Sequence, residues 1–116
     1  MKIKIGIIDY GICNLNSVVQ SFEILECKND VINNKFKVPD YTHLVLPGVG
    51  SFPKGMENIL KFNLSETIKN WIKSGKPILG ICLGMQLFAK VGFEFQKTNG
   101  LGFINDNIKK IKTTNQ

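Results

Sequence analysis

The sequence contains no arginine. Its 116 residues carry 15 lysines against nine carboxylates, a formal net charge of +6. Surfaces that read phosphates or bases usually place arginine forks among their cations, and these lysines are scattered rather than gathered into a patch. That distribution describes a solvated basic surface and argues against a nucleic-acid partner. Histidine occurs once, at His43, and the three cysteines, Cys13, Cys27 and Cys82, are odd in number and unevenly spaced. No disulfide framework and no zinc-ligand cluster fits that set. No apolar run approaches the roughly 18 residues that a membrane span requires. The amino terminus, MKIKIGIIDYG, reads as a strand without a small-residue cleavage site, so the expected location is cytoplasmic. No repeat or low-complexity linker interrupts the chain. What remains is ordinary globular material, 43% hydrophobic and 21% charged, at a length near the commonest for one domain.

Hydrophobic spacing then orders the elements. Ile3, Ile5, Ile7 and Ile8 mark a buried parallel strand over residues 2–9, broken by Gly11. Leu15, Val18, Val19, Phe22 and Leu25 recur at helical spacing between Asn14 and Glu26. Residues 29–33 suit a short edge strand, and residues 42–46 a second clear strand that Pro47-Gly48-Val49-Gly50 terminates. Met56, Ile59 and Leu60 suggest a short helix. Asn63 with Glu66 three residues on resembles a capping box, followed by the stripe Leu64, Ile68, Trp71 and Ile72. Gly75 and Pro77 end that helix. Residues 78–81 read as another strand, residues 85–90 as the start of another helix, and residues 101–112 loosely as two strands around Asn105-Asp106-Asn107. Trp71 and the phenylalanines read as core. Alternating strands and helices predict an α/β fold, a mostly parallel sheet with helices on both faces. Three loops then share the carboxyl rim of the sheet, at residues 10–16, 48–51 and 81–84.

One rim loop has a chemical look. In Gly80-Ile-Cys-Leu-Gly84 a thiol sits between two glycines, after a strand and before a helix. Such an elbow forces its central residue into a strained backbone conformation and requires small flanking residues. The side chain is lifted off the sheet to the amino end of a helix, where unpaired N–H groups and the helix dipole favour a thiolate. The N–H of the following residue, Leu83, points to where an oxyanion would form. A second donor has to come from a neighbouring loop, and the glycines of Pro47-Gly48-Val49-Gly50 allow a close backbone approach. A tightly packed strand–helix corner is the bland alternative for the cysteine. The second glycine loop on another strand favours the catalytic one.

Together "PILGICLGMQL", "VLPGVGSF" and "IGIIDYGICNLNSV" closely resemble the class I glutamine amidotransferases. Within them the likeness is greatest to the glutaminase subunits of imidazole glycerol phosphate synthase, and it covers nearly the whole chain in the family's order and spacing. The resemblance implies a flavodoxin-like three-layer fold, with residues 1–116 the N-terminal portion of a single amidotransferase domain whose C-terminal part is missing. It implies that Cys82 attacks the side-chain amide of L-glutamine, giving a thioester and ammonia, and that water then releases glutamate. Val49 and Leu83 would supply the oxyanion hole, with Gly48 and Gly50 allowing the loop its conformation. Gln86, and Gly50 again, would hold the substrate. Asn14 and Ser17 would lie near a partner cyclase, in a heterodimer that uses the ammonia for histidine biosynthesis. No cofactor and no metal are implied.

The sequence also departs from that pattern. The family completes its site with a histidine and a glutamate from a later His-Pro-Glu segment, and this sequence contains no such segment. His43 precedes a core strand and reads as structural, while Glu94 follows the nucleophile too closely to replace the glutamate. Without an acid–base pair the leaving ammonia has no proton donor, so the isolated chain is expected to hydrolyse glutamine poorly or not at all. A fragment, a truncated frame and a subunit completed in trans are the three explanations, and truncation is the expectation. Cys13 replaces the family's glycine, which costs about 1 kcal/mol if that position needs a positive φ. Cys27 reads as a buried or half-buried small side chain. Three other readings stay open: a paralogue supplying ammonia for sugar amination, a non-catalytic partner-binding module, and a different cysteine-elbow protein.

Overall fold

The computed structural model describes residues 2–12, 14–33 and 40–112; Cys13 lies outside them. Its central element is β1 (Lys4–Ile8), whose apolar residues divide between two faces. On one face, Ile5, Ile7 and Val45 meet Leu15, Val18, Val19 and Phe22 of α1 (Asn16–Ile24) and the turn before it. On the other, Ile8, Leu44 and Leu46 join Phe52, Met56, Ile59, Leu64, Ile68 and Trp71 in the larger core. Those last six belong to α2 (Phe52–Lys61), α3 (Ser65–Lys73) and the turn joining them. The sheet is entirely parallel, in the order β2-β1-β3-β4, with β2 at Lys28–Ile32, β3 at His43–Leu46 and β4 at Ile78–Gly80. Helices therefore cover both faces, and the expected three layers are present.

A one-turn helix, α4 (Leu83–Gln86), follows β4 and leads into a second sheet of three strands in the order β6-β5-β7. Here β5 (Ala89–Gly92) runs antiparallel to β6 (Thr98–Asn99) and parallel to β7 (Ile104–Ile108), with a bulge between Ala89 and Val91. Two expectations fail in this region. Helix does not extend over residues 85–90, because Ala89 and Val91 point inward while Lys90 points out, the period of a strand. Asn105-Asp106-Asn107 is no turn between two strands. It is the middle of β7, kept in the strand by pairing with β5 at Ile104 and at Asn107, and its turn-forming residues fall where the register shifts. Phe93 and Phe95 are not core either; Phe95 is 88% exposed.

The capping box at Asn63 and Glu66 is absent as well. Asn63 has φ +57 and sits just past α2, with its N–H on the Leu60 carbonyl and the Leu64 N–H on the Ile59 carbonyl. That pattern terminates a helix, and the left-handed turn it needs cannot also be the start of the next one. The same device ends α1 at Glu26, also at φ +57, where Cys27 N–H reaches the Phe22 carbonyl. This early reversal leaves Leu25 67% exposed instead of on the buried stripe. Glutamate is poorly suited to a left-handed position that glycine adopts without steric cost. Glu26→Gly is expected to stabilise the chain by about 1 kcal/mol, seen as a higher urea midpoint at unchanged slope.

Candidate active site

Because β1, β3 and β4 are parallel, the loops after them share one rim, and hydrogen bonds join all three. The Tyr10 hydroxyl, at the end of β1, donates to the Pro47 carbonyl after β3 at 2.5 Å. From the loop after β4, Ile81 N–H reaches the Leu46 carbonyl at 3.0 Å and Leu83 N–H the Gly48 carbonyl at 3.2 Å.

Cys82 stands at the corner with φ +54 and ψ −120, a conformation that a residue with a β-carbon adopts only when its surroundings impose it. They do so here. The Ile81 carbonyl, accepting the Gly84 N–H at 3.0 Å, and the Leu83 N–H, donating to Gly48, fix the peptides on either side, and Gln86 N–H closes the first turn on the Cys82 carbonyl at 3.2 Å. The flanking glycines are sterically required. A β-carbon at Gly80 would lie 2.6 Å from the Met85 Cα, and one at Gly84 would sit on the Leu46 carbonyl oxygen. The thiol itself is exposed, as an attacking group must be.

The second glycine loop adjoins this corner as expected, with Val49 60% exposed and Gly50 at φ +117. Its orientation departs from expectation. Leu83 N–H is occupied by the Gly48 carbonyl, so it does not face an open oxyanion position. In a planar trans peptide the carbonyl and the next N–H point in opposite directions. With the Gly48 carbonyl turned toward Leu83, the Val49 N–H is turned away from it. The two donors singled out from the sequence are adjacent, and the hole they would form is not assembled.

Beside the elbow opens a cleft of about 610 Å³. Gly50 and Gln86 both line it, and Gln86 follows Cys82 by one turn. Phe93, Glu94 and Phe95, and then Ile108, Lys109 and Lys110, form the rest of its wall. Glu94 was set aside on sequence spacing, yet it is the carboxylate of this cleft and also accepts the Phe52 N–H at 2.9 Å. The two lysines come from the end of β7, a strand whose position the sequence reading misplaced. Asn14 and Ser17 are exposed on the same rim, where the Asn14 side chain accepts the Asn16 N–H. His43 starts β3, at the opposite end of the sheet from the elbow, with Nδ1 2.8 Å from the Thr42 hydroxyl. Its structural reading agrees with that position.

No helix among the described residues is long and apolar enough to cross a membrane. The imidazole glycerol phosphate synthase subunit HisH of Prochlorococcus marinus subsp. pastoris is 49% identical over 108 residues, covering 93% of this chain and 52% of that protein. The subunit of the same name from Lactococcus lactis subsp. lactis is 44% identical over 110 residues, covering 95% of this chain and 54% of that one. The chain thus spans about half the length of the curated relatives it matches. Among solved structures, a candidate peptidase E from Listeria monocytogenes EGD-e superposes with a TM-score of 0.70 over 88% of this chain and 63% of that one. At 9% identity the likeness is one of fold. The family model described as "Glutamine amidotransferase class-I" matches residues 6–112, and with the identities above it shows that the chain belongs to the class I glutamine amidotransferase family.

Proposed function

We propose that this chain carries the nucleophilic half of a glutaminase site, as the N-terminal portion of a single amidotransferase domain. The domain would serve as a cytoplasmic subunit that feeds ammonia to a synthase partner in imidazole glycerol phosphate formation. The observation that carries the reading is the exposed thiol of Cys82, held at φ +54 between two glycines that admit no β-carbon. The names of the relatives support the subunit role and the pathway.

In the reaction, Cys82 Sγ bonds to the side-chain carbonyl carbon of L-glutamine and the carbonyl oxygen becomes an oxyanion. Collapse of that intermediate expels ammonia, which takes up a proton as it leaves. Water then cleaves the thioester, releasing glutamate and restoring the thiol. Gln86 and Gly50 lie in the cleft where the substrate would sit, and Glu94 is the carboxylate there able to meet its α-ammonium group. Proton transfer needs a base and an acid. His43 stands at the wrong end of the sheet to serve, and the His-Pro-Glu segment that would supply these groups in the family is not in this sequence. Asn14 and Ser17, on the rim beside the elbow, face the partner.

Stabilising the oxyanion requires one rearrangement of the described state. A half-turn of the Gly48–Val49 peptide would move the Gly48 carbonyl off Leu83, free the Leu83 N–H, and swing the Val49 N–H in beside it. That turn rotates ψ of Gly48 and φ of Val49, and Gly48, which has no β-carbon, supplies the freedom on its side.

Incubation with a chloroketone analogue of glutamine tests the reading on the chain itself. Peptide mass analysis is expected to show the adduct on Cys82 in preference to Cys13 and Cys27, suppressed by excess L-glutamine, with no measurable glutamate released from glutamine by the chain alone. Equal labelling of the cysteines, or labelling that L-glutamine leaves unchanged, would overturn it.

A further inference from the structure

Rotation of one peptide in a loop needs a fixed point, and the fixed point here is a side chain from a different strand. Tyr10 is buried at the end of β1, and its hydroxyl crosses to the Pro47 carbonyl at 2.5 Å. A β-carbon on Gly48 would overlap that same hydroxyl and lie 3.3 Å from the Gly84 N, so the Tyr10 oxygen, the Gly48 backbone and the elbow are packed together. The Pro47–Gly48 peptide is therefore held from the tyrosine side. At the far end of the loop, Gly50 is unhindered.

Tyr10 is itself held. Its carbonyl accepts the amide of Asn58, a buried polar residue of α2, at 2.8 Å, and α2 begins directly after the loop in question. Gly11, at φ +85, packs on Phe62 and on the same Asn58 amide, and from there the chain runs to Asn14 and Ser17. The loop after β1 and the loop after β3 thus share a buried polar junction.

We propose that Tyr10 is a positioning residue: by pinning the Pro47 carbonyl it makes Gly48–Val49 the one peptide of the loop that turns, and it ties that turn to the loop after β1 through Asn58. The catalytic meaning of this hinge rests on reading residues 47–50 as the oxyanion loop; the hinge itself does not.

Amide hydrogen exchange on Tyr10→Phe, which keeps the ring and deletes the hydroxyl, measures it. Leu83 N–H is protected by the Gly48 carbonyl, whereas Ile81 and Gly84 N–H in the same elbow are bonded to Leu46 and Ile81. Loss of the pin is expected to speed Leu83 exchange about tenfold, the effect of one hydrogen bond, with Ile81 and Gly84 unchanged within about twofold. A Leu83 rate equal to that of the parent chain overturns the proposal. So does a rise shared equally by all three amides, which would mark Tyr10 as a packing residue only. If the hinge result is obtained while the chloroketone fails to label Cys82 in the parent chain, the hinge stands and the glutaminase reading falls.

Discussion

Gly84→Ala is expected to abolish capture of the glutamine chloroketone by Cys82 and to destabilise the chain by about 3 kcal/mol, the upper end of the usual cost of overpacking. The new methyl group would coincide with the Leu46 carbonyl oxygen and crowd that of Pro47. Both belong to backbone, and neither can rotate away as a side chain would. Relief has to come from pulling the elbow off the end of β3, which breaks the bonds from Ile81 to Leu46 and from Leu83 to Gly48. Those bonds impose the conformation of Cys82, so the thiol would relax with them. Urea unfolding gives the stability change and peptide mass analysis gives the capture. A variant that unfolds at the parent midpoint and is labelled at the parent rate would mean that the corner is not held as described.

Trp71→Ala has the largest expected effect on stability, about 3–5 kcal/mol. The indole is fully buried between the sheet and α3, and its Nε1 donates to the Pro77 carbonyl at 2.9 Å, closing the turn into β4. Truncation leaves a large cavity and removes one of two donors from the Pro77 carbonyl, which keeps only the Leu44 N–H at 3.2 Å just ahead of the strand that presents the elbow. Against the total stability of a small domain, about 5–15 kcal/mol, such a loss is a large fraction of the whole. Trp71 is the only tryptophan, so fluorescence follows the parent alone and circular dichroism has to follow both. A midpoint shift under about 1 kcal/mol would show that this core is looser than its burial implies.

The elbow was legible in the sequence because its requirements are steric and local. A residue forced to positive φ between two close backbone approaches leaves glycines at fixed spacing, and Gly80 and Gly84 are both explained by atoms that a β-carbon would strike. The parallel sheet was legible for a similar reason: Ile5, Ile7, Leu44 and Leu46 repeat at strand spacing and are buried on opposite faces. Local patterns failed where two of them compete for one residue. Asn63 can begin a helix or end one, and only the position of α2 decides. The strand β7 was hidden because partners distant in sequence, not its own residues, hold it extended. The orientation of the Gly48–Val49 peptide left no trace in the sequence at all, since a peptide and its half-turned form have the same residues. The place of Glu94 in the cleft wall was not legible either, because separation along the chain says nothing about which walls face each other across the cleft.

Protein engineers sometimes treat a reactive corner of this kind as a portable cassette. The contacts around Gly84 argue otherwise for this one. Its shape is moulded against the carbonyls of a neighbouring strand end, one of which a phenol from the next strand holds in place, so a host scaffold given the five residues alone would receive the letters of the device without its template.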